Sequence, residues 1–136
     1  MGLYNDAEEE IIAGEALINS KLYRQSIFHF CLAVELYLKS KLMLIDPNSY
    51  LEFSHNIIDM YARLQKKYPS SGKLNSQIKL CRKYYNESRY PYDNHSIYTK
   101  EFAEQFLSYA KDVKSYIDND CLSGLQDLEN KYKKNN

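Results

Sequence analysis

The stretch YRQSIFHFCLAVELYLKSKLML, residues 23–44 of this 136-residue chain, is a long apolar-rich run without Gly or Pro. Four of its apolar residues recur at i, i+4, i+7 and i+11, which is the spacing of one face of an α-helix. They are Ile27, Cys31, Val34 and Leu38. Further apolar residues widen this face, as expected for a helix that contacts several neighbours. The stretch therefore predicts the central helix of a bundle, about 30 Å long.

Capping residues and helix breakers predict the remaining elements. The candidate N-caps are Asn5 or Asp6, Ser54 and Thr99. The predicted helices are residues 6–19, 23–44, 55–67, 73–88 and 99–118, with a weak last helix at 122–132. No segment alternates like a convincing strand. The prediction is an all-α fold, an up-and-down bundle of four long helices plus one or two shorter helices.

Length and composition favour one globular domain without a targeting segment. We expect a single domain over residues 1–136, with its core at about 5–120 and a short C-terminal helix and tail at 121–136. The N-terminus lacks the pattern of a signal peptide, and no apolar run reaches the ~20 residues of a membrane span. The three cysteines form no CxxC pair, which argues against a zinc site or disulfides. Cys31 and Cys81 fall on apolar helical faces, which predicts buried free thiols. A cytoplasmic protein with no membrane contact is expected.

Charge is balanced overall but uneven along the chain. Eighteen basic and eighteen acidic residues give a net charge of zero, which argues against a chain-wide electrostatic grip on nucleic acid. Residues 69–95 nevertheless carry five basic residues against two acidic ones, and five of the 14 tyrosines fall within residues 84–98. Lys79, Arg82 and Lys83 form a basic stripe on the predicted fourth helix. This segment is the candidate surface for phosphates and stacked bases.

Three motifs occur in the order and spacing of a known family. The central helix contains the sequence AVELYLK at residues 33–39, the third helix begins SHNI at residues 54–57, and SRYP at residues 88–91 precedes the last long helix. With the small residues Ala103 and Ala110 in the fifth helix, the chain resembles the HEPN domain family. The resemblance covers roughly residues 5–120.

Members of this family differ in function, so the resemblance implies more than one activity. Some HEPN domains resemble metal-independent endoribonucleases with an Arg-x(4–6)-His motif at a dimer interface, and many of these act as toxins or defence effectors. Others lack the motif and look like nucleotide-binding or dimerisation modules, some of them beside a nucleotidyltransferase. The leading interpretation is a homodimer that binds a nucleotide or RNA without catalysis. Its predicted binding residues are Lys79, Arg82, Lys83, Arg89, Tyr90 and His55.

Arg89 and His95 are the catalytic residues of the alternative hypothesis, a ribonuclease. Five residues separate them, which fits Arg-x(4–6)-His. A neutral His can take the proton of a ribose 2′-OH, and Arg can stabilise the charge that develops on the phosphate. Pro91 places the motif in a loop, and the Arg-Tyr-Pro signature is more typical of the other branch. A third hypothesis is an interaction module that partners a nucleotidyltransferase.

The sequence contains no motif for a cofactor or a metal. It has no GxGxxG and no P-loop, and its three histidines lack the spacing of a metal site. His29, inside the central helix, is predicted to be a hydrogen-bonded histidine of the core or of an interface rather than a ligand-binding residue. Glu35 lies at the edge of the apolar face and would need a partner if it were buried, and Arg89 is the predicted partner in a structural pair.

Overall fold

The computed structural model describes residues 2–48, 56–70, 74–90 and 97–121. Within these ranges all regular structure is helical and there is no strand. The five α-helices are α1 (Gly2–Asn19), α2 (Tyr23–Ile45), α3 (Ile57–Lys67), α4 (Asn75–Glu87) and α5 (Lys100–Ser115), and a π-helical turn follows at Tyr116–Asp120. The predicted all-α bundle is confirmed.

Helix α2 is the centre of the bundle, as its apolar pattern predicts. It packs against each of the other four α-helices. Its core side chains are buried: Ile27, Phe30, Cys31, Ala33, Val34, Tyr37, Leu38 and Leu42. Glu35 and Lys39 are buried with them, each only 4% exposed. The wide buried sector therefore includes an ion pair among the apolar residues.

Contacts between α1 and α2 show that the two helices run antiparallel. Glu10 contacts His29, whereas Glu8 and Tyr4 contact Tyr37. Residues nearer the start of α1 therefore contact residues nearer the end of α2. The short turn between the helices requires this arrangement, and Lys21 in that turn has a positive φ of 61°. The His29 imidazole is paired through Nδ1 with the Glu10 carboxylate, as predicted for a hydrogen-bonded histidine, but its side chain is 31% exposed and lies at the edge of the α1–α2 contact rather than in the core.

Two predicted helix starts are wrong. Helix α1 begins at Gly2 rather than after Asn5 or Asp6, because Tyr4 packs edge-on against Tyr37 and donates a hydrogen bond to Asp118 at 2.8 Å. These tertiary contacts extend the helix beyond its predicted cap. Helix α3 is capped by Asn56, not Ser54: Oδ1 of Asn56 accepts hydrogen bonds from the backbone N–H groups of residues 58 and 59. The predicted cap at Thr99 is confirmed.

The end of α5 completes the bundle against α1 and α3. Lys114 pairs with Glu8 at 2.9 Å, and the Tyr116 hydroxyl donates to the backbone carbonyl of Tyr68 at 2.8 Å. The predicted fifth helix runs to residue 118, but regular α-helix ends at Ser115 and a π-helical turn continues the chain. The predicted last helix at 122–132 and the tail lie outside the described residues.

The predicted burial of Cys31 and Cys81 as free thiols is confirmed. Cys31, Cys81 and Cys121 are all free and buried. Burial raises the pKa of Cys31 well above its ordinary value and that of Cys121 to about 11, so both remain neutral thiols near neutral pH. Across the described ranges, no helix is long and apolar enough to cross a membrane.

Candidate nucleotide-binding site

A cavity of about 260 Å³ opens where α2, the start of α3 and α4 meet. Its described lining residues are Cys31, Glu35, Asn56, Ile57, Arg82, Tyr85 and Asn86. Helix α4 supplies three of them at i, i+3 and i+4, which places them on one face. The cavity thus combines a buried carboxylate, a guanidinium, two amides and an aromatic ring.

Glu35 contributes a buried carboxylate to the lining of this cavity. Its Oε2 lies 3.4 Å from the Nζ of Lys39, one helical turn further along α2, and both side chains are about 5% exposed. The predicted pair between Glu35 and Arg89 is wrong. Spacing explains the difference, because i and i+4 side chains of one helix are neighbours and a lysine was already available there.

Arg89 lies instead on the surface, against two aromatic rings. The rings of Phe28 and Tyr85 are stacked, with centroids 5.3 Å apart and planes 28° apart. The Arg89 guanidinium lies 4.5 Å from the Tyr85 centroid and 5.7 Å from that of Phe28. It also donates a hydrogen bond to the Tyr85 hydroxyl at 2.9 Å, which raises the pKa of Arg89. The residue is therefore a permanently charged, exposed donor.

The position of Arg89 is fixed by a contact from α2. Arg24 Nη1 donates a hydrogen bond of 2.7 Å to the carbonyl of Ser88, the residue before Arg89. Ser88 is itself buried, and its hydroxyl donates to the Tyr84 carbonyl at 2.5 Å. Tyr90 follows on the surface, with 49% of its side chain exposed. The segment after α4 is thus held beside the N-terminal end of α2.

The predicted basic stripe on α4 is divided between different sides of the helix. Arg82 lines the cavity described above, and Lys79 lines a second groove of about 290 Å³ between α3 and α4. Lys83 lies over the Tyr84 ring at 5.4 Å, and that ring packs against Phe102 of α5. Of the predicted basic residues on α4, only Arg82 therefore lines the cavity beside the aromatic pair.

Two predicted site residues, His55 and His95, lie outside the described residues. The structure therefore does not test the Arg89–His95 pair or a ligand contact by His55. Among the described residues, no group of three or more His, Cys, Asp or Glu side chains is arranged to hold a metal ion.

The family model of the HEPN domain matches residues 2–120, nearly the whole chain. The chain belongs to the HEPN family. Comparisons with curated proteins and with solved structures found no match. Membership confirms the resemblance inferred from the three motifs.

Sequence reasoning did not assign some important residues of this HEPN site. Phe28 and Asn56 were not predicted to contribute, because no local pattern brings α2 and the start of α3 to the same cavity. Asn86 had a usable signal, since it follows Arg82 at i+4 on the same helix face. The half-buried ring of Tyr85 stacks on Phe28, and its hydroxyl accepts a hydrogen bond from Arg89.

Proposed function

We propose that this HEPN domain binds a nucleotide or RNA without catalysis, and that it does so as a homodimer. One observation carries the proposal: Arg82 lines a cavity whose aromatic wall, Tyr85, also holds the exposed guanidinium of Arg89. Guanidinium groups bind phosphate oxygens, and aromatic rings and guanidinium planes stack on bases. Arg89 forms no ion pair with a described carboxylate, which leaves its charge for a phosphate.

The other predicted binding residues take secondary roles in this proposal. Tyr90 is exposed directly after Arg89, where its ring can stack on a base. Lys79 lines the neighbouring groove between α3 and α4, where a longer strand would reach it. Lys83 points toward α5, so it contributes to the electrostatic attraction of the ligand phosphate more than to direct contact with it. His55 precedes the Asn56 cap and remains a predicted contact.

Fluorescence anisotropy with a labelled single-stranded RNA, with chelator present and at several salt concentrations, tests this proposal. We expect wild type to bind, and Arg82→Ala and Arg89→Ala each to weaken binding and to lower the salt slope by about 0.7 per lost phosphate contact. Lys111→Ala is the matched control, because it removes one exposed positive charge from α5. Equal losses in all three variants would point to a general charge effect and contradict the assigned site.

The ribonuclease hypothesis has a separate test. It is favoured by the exposure of Arg89 and its freedom from a carboxylate partner among the described residues. Incubation of a mixed RNA with wild type and with His95→Ala, in chelator, separates the two functions. Cleavage by wild type that the variant lacks would replace the non-catalytic proposal with a toxin or defence ribonuclease using Arg89 and His95. Binding without cleavage by either protein supports the non-catalytic proposal.

Self-association, or pairing with a nucleotidyltransferase, would use surface apolar residues. Ile12 on α1 and Leu44 on α2 are 68% and 69% exposed. Sedimentation of wild type and of Ile12→Glu tests whether α1 forms the homodimer contact. A dimer that becomes a monomer in the variant supports this contact. A wild-type monomer that associates only after a nucleotidyltransferase is added supports the partner hypothesis instead.

A further inference from the structure

One face of α4 carries the residues that this helix contributes to the two recesses beside it. They are Asn75, Ile78, Lys79, Arg82, Tyr85 and Asn86. The first three line the groove of about 290 Å³ between α3 and α4, and the last three line the cavity of about 260 Å³. Steps of three and four residues keep side chains on one side of a helix. The two recesses therefore lie end to end along α4.

Helix α3 forms the opposite wall along the same length. Ile57, the first residue of α3, lines the cavity together with the later part of α4. Gln65, near the end of α3, lines the groove together with Asn75 at the start of α4. The two helices thus run antiparallel on either side of the recesses. Together the recesses form one elongated depression, which we call the α3–α4 channel.

Three positively charged residues lie in a row along this channel. Lys79 and Arg82 are about one helical turn apart on α4, and Arg89 extends the row just beyond the end of the helix. All three are exposed, and no described carboxylate forms an ion pair with any of them. Among the described lining residues of the channel, the carboxylate belongs to Glu35, which is paired with Lys39. The exposed charges along the channel are therefore positive.

The length of this row favours a strand over a single nucleotide. Arg89 is ten positions after Lys79, which corresponds to about 15 Å at the rise of an α-helix. A stacked strand advances about 3.4 Å per nucleotide, so about four nucleotides cover this distance. One phosphate group cannot contact cations at both ends of a row of this length, whereas the phosphates of a strand can. The charge arrangement therefore complements an oligonucleotide.

We propose that the α3–α4 channel binds single-stranded RNA over about four nucleotides, with Lys79, Arg82 and Arg89 contacting phosphates along the strand. The unpaired bases of a single strand can turn into the two recesses, whereas the bases of a duplex are held inside the helix. This inference rests on the proposed function, because it names the ligand class that the same site takes. The preferred ligand is a strand rather than a free nucleotide.

Calorimetric titration of the full chain with AMP and with adenylate oligomers of two, four and eight nucleotides tests this proposal without any mutation. We expect affinity to rise by about tenfold or more from AMP to the tetranucleotide, because charge-assisted contacts are added. Affinity should change little from the tetranucleotide to the octanucleotide. A stable RNA hairpin stem should bind more weakly than the octanucleotide. Equal affinities for AMP and the tetranucleotide would overturn the proposal, and so would tighter binding of the stem.

Three variants then locate the strand. Lys79→Ala should weaken binding of the tetranucleotide more than binding of AMP, and should lower the salt slope of the tetranucleotide by about 0.7. Arg82→Ala should weaken binding of both ligands, because Arg82 lines the cavity beside the aromatic pair. Lys111→Ala is the control, since it removes an exposed charge from α5, outside the channel. Equal losses of tetranucleotide affinity in Lys79→Ala and Lys111→Ala would overturn the assigned path.

The results distinguish failure of the strand path from failure of the function. No binding of AMP or of any oligonucleotide at millimolar concentration would contradict the proposed function itself. Binding of AMP and of all the oligomers with similar affinity would leave nucleotide binding in place and overturn only the α3–α4 channel as a strand path.

Discussion

Replacing Gly14 by alanine tests how closely α1 and α2 pack. A Cβ added at Gly14 would lie 2.4 Å from Cε1 of Phe30 and 2.8 Å from both Cδ1 and Cζ of the same ring. Real Cβ atoms essentially never approach other atoms within 3.0 Å, so the ring or the helix must move. Phe30 is fully buried at 0% exposure, which leaves its ring little space to move into.

Two opposing terms set the size of the effect. Alanine is favoured over glycine in a helix interior by about 1 kcal/mol. Overpacking a buried site costs about 1–3 kcal/mol, and three short contacts with a rigid ring place this site in the upper part of that range. The free energy of unfolding should therefore fall by about 1–2 kcal/mol in Gly14→Ala. The melting temperature should fall by about 5 °C.

Urea denaturation measures this change, and two companion variants separate its parts. Ala16→Gly, at an exposed position of the same helix, measures the propensity term alone and should destabilise by about 1 kcal/mol. Phe30→Leu removes the ring atoms involved, so Gly14→Ala should cost less in that background. A Gly14→Ala variant that is more stable than wild type would refute the close approach, because propensity would then have decided the outcome.

Three further predictions concern charges and thiols. Lys39→Met should lower the free energy of unfolding by about 3 kcal/mol, because it removes a partner of buried Glu35. In the same urea assay, Lys66→Met, at an exposed position, should change the free energy of unfolding by less than about 0.5 kcal/mol. Equal effects of the two variants would contradict the buried pair. Burial acts to raise the pKa of Glu8, but hydrogen bonds from Lys114 and Tyr37 outweigh it and hold that pKa below its ordinary 4.5. Its contribution is therefore present above pH 4.5 and lost as pH falls through the lowered pKa, so Glu8→Gln should cost up to about 1 kcal/mol at pH 7 and progressively less as pH falls below 4.5. A cost that does not decrease in acid would contradict this. Native protein should show no fast-reacting thiol toward an aromatic disulfide reagent at pH 8 and three in denaturant, since all three cysteines are buried; a thiol that reacts quickly in native protein would contradict that burial.

Residue spacing along single helices explains which features of the site could be predicted. The i, i+4 spacing placed Lys79, Arg82 and Lys83 on the exterior of α4, and all three are exposed. The period along α2 likewise placed Glu35 at the edge of the buried sector, and it is buried. What failed was the partner of Glu35, because that prediction required the relative position of two helices.

The amino-acid sequence by itself determined the central helix, the helical class and the family, since each follows from patterns along the chain and needs no knowledge of which helices meet. The period of apolar residues along α2 is a local property, and the order of the three motifs can be read directly along the sequence. Tertiary structure alone decided that α1 begins at Gly2, because Tyr4 finds its partners on α2 and after α5. It also decided that Arg82 faces a cavity while Lys83 turns toward α5. A helix pattern fixes which residues share a face, but the neighbour that each face meets depends on packing among helices distant in sequence.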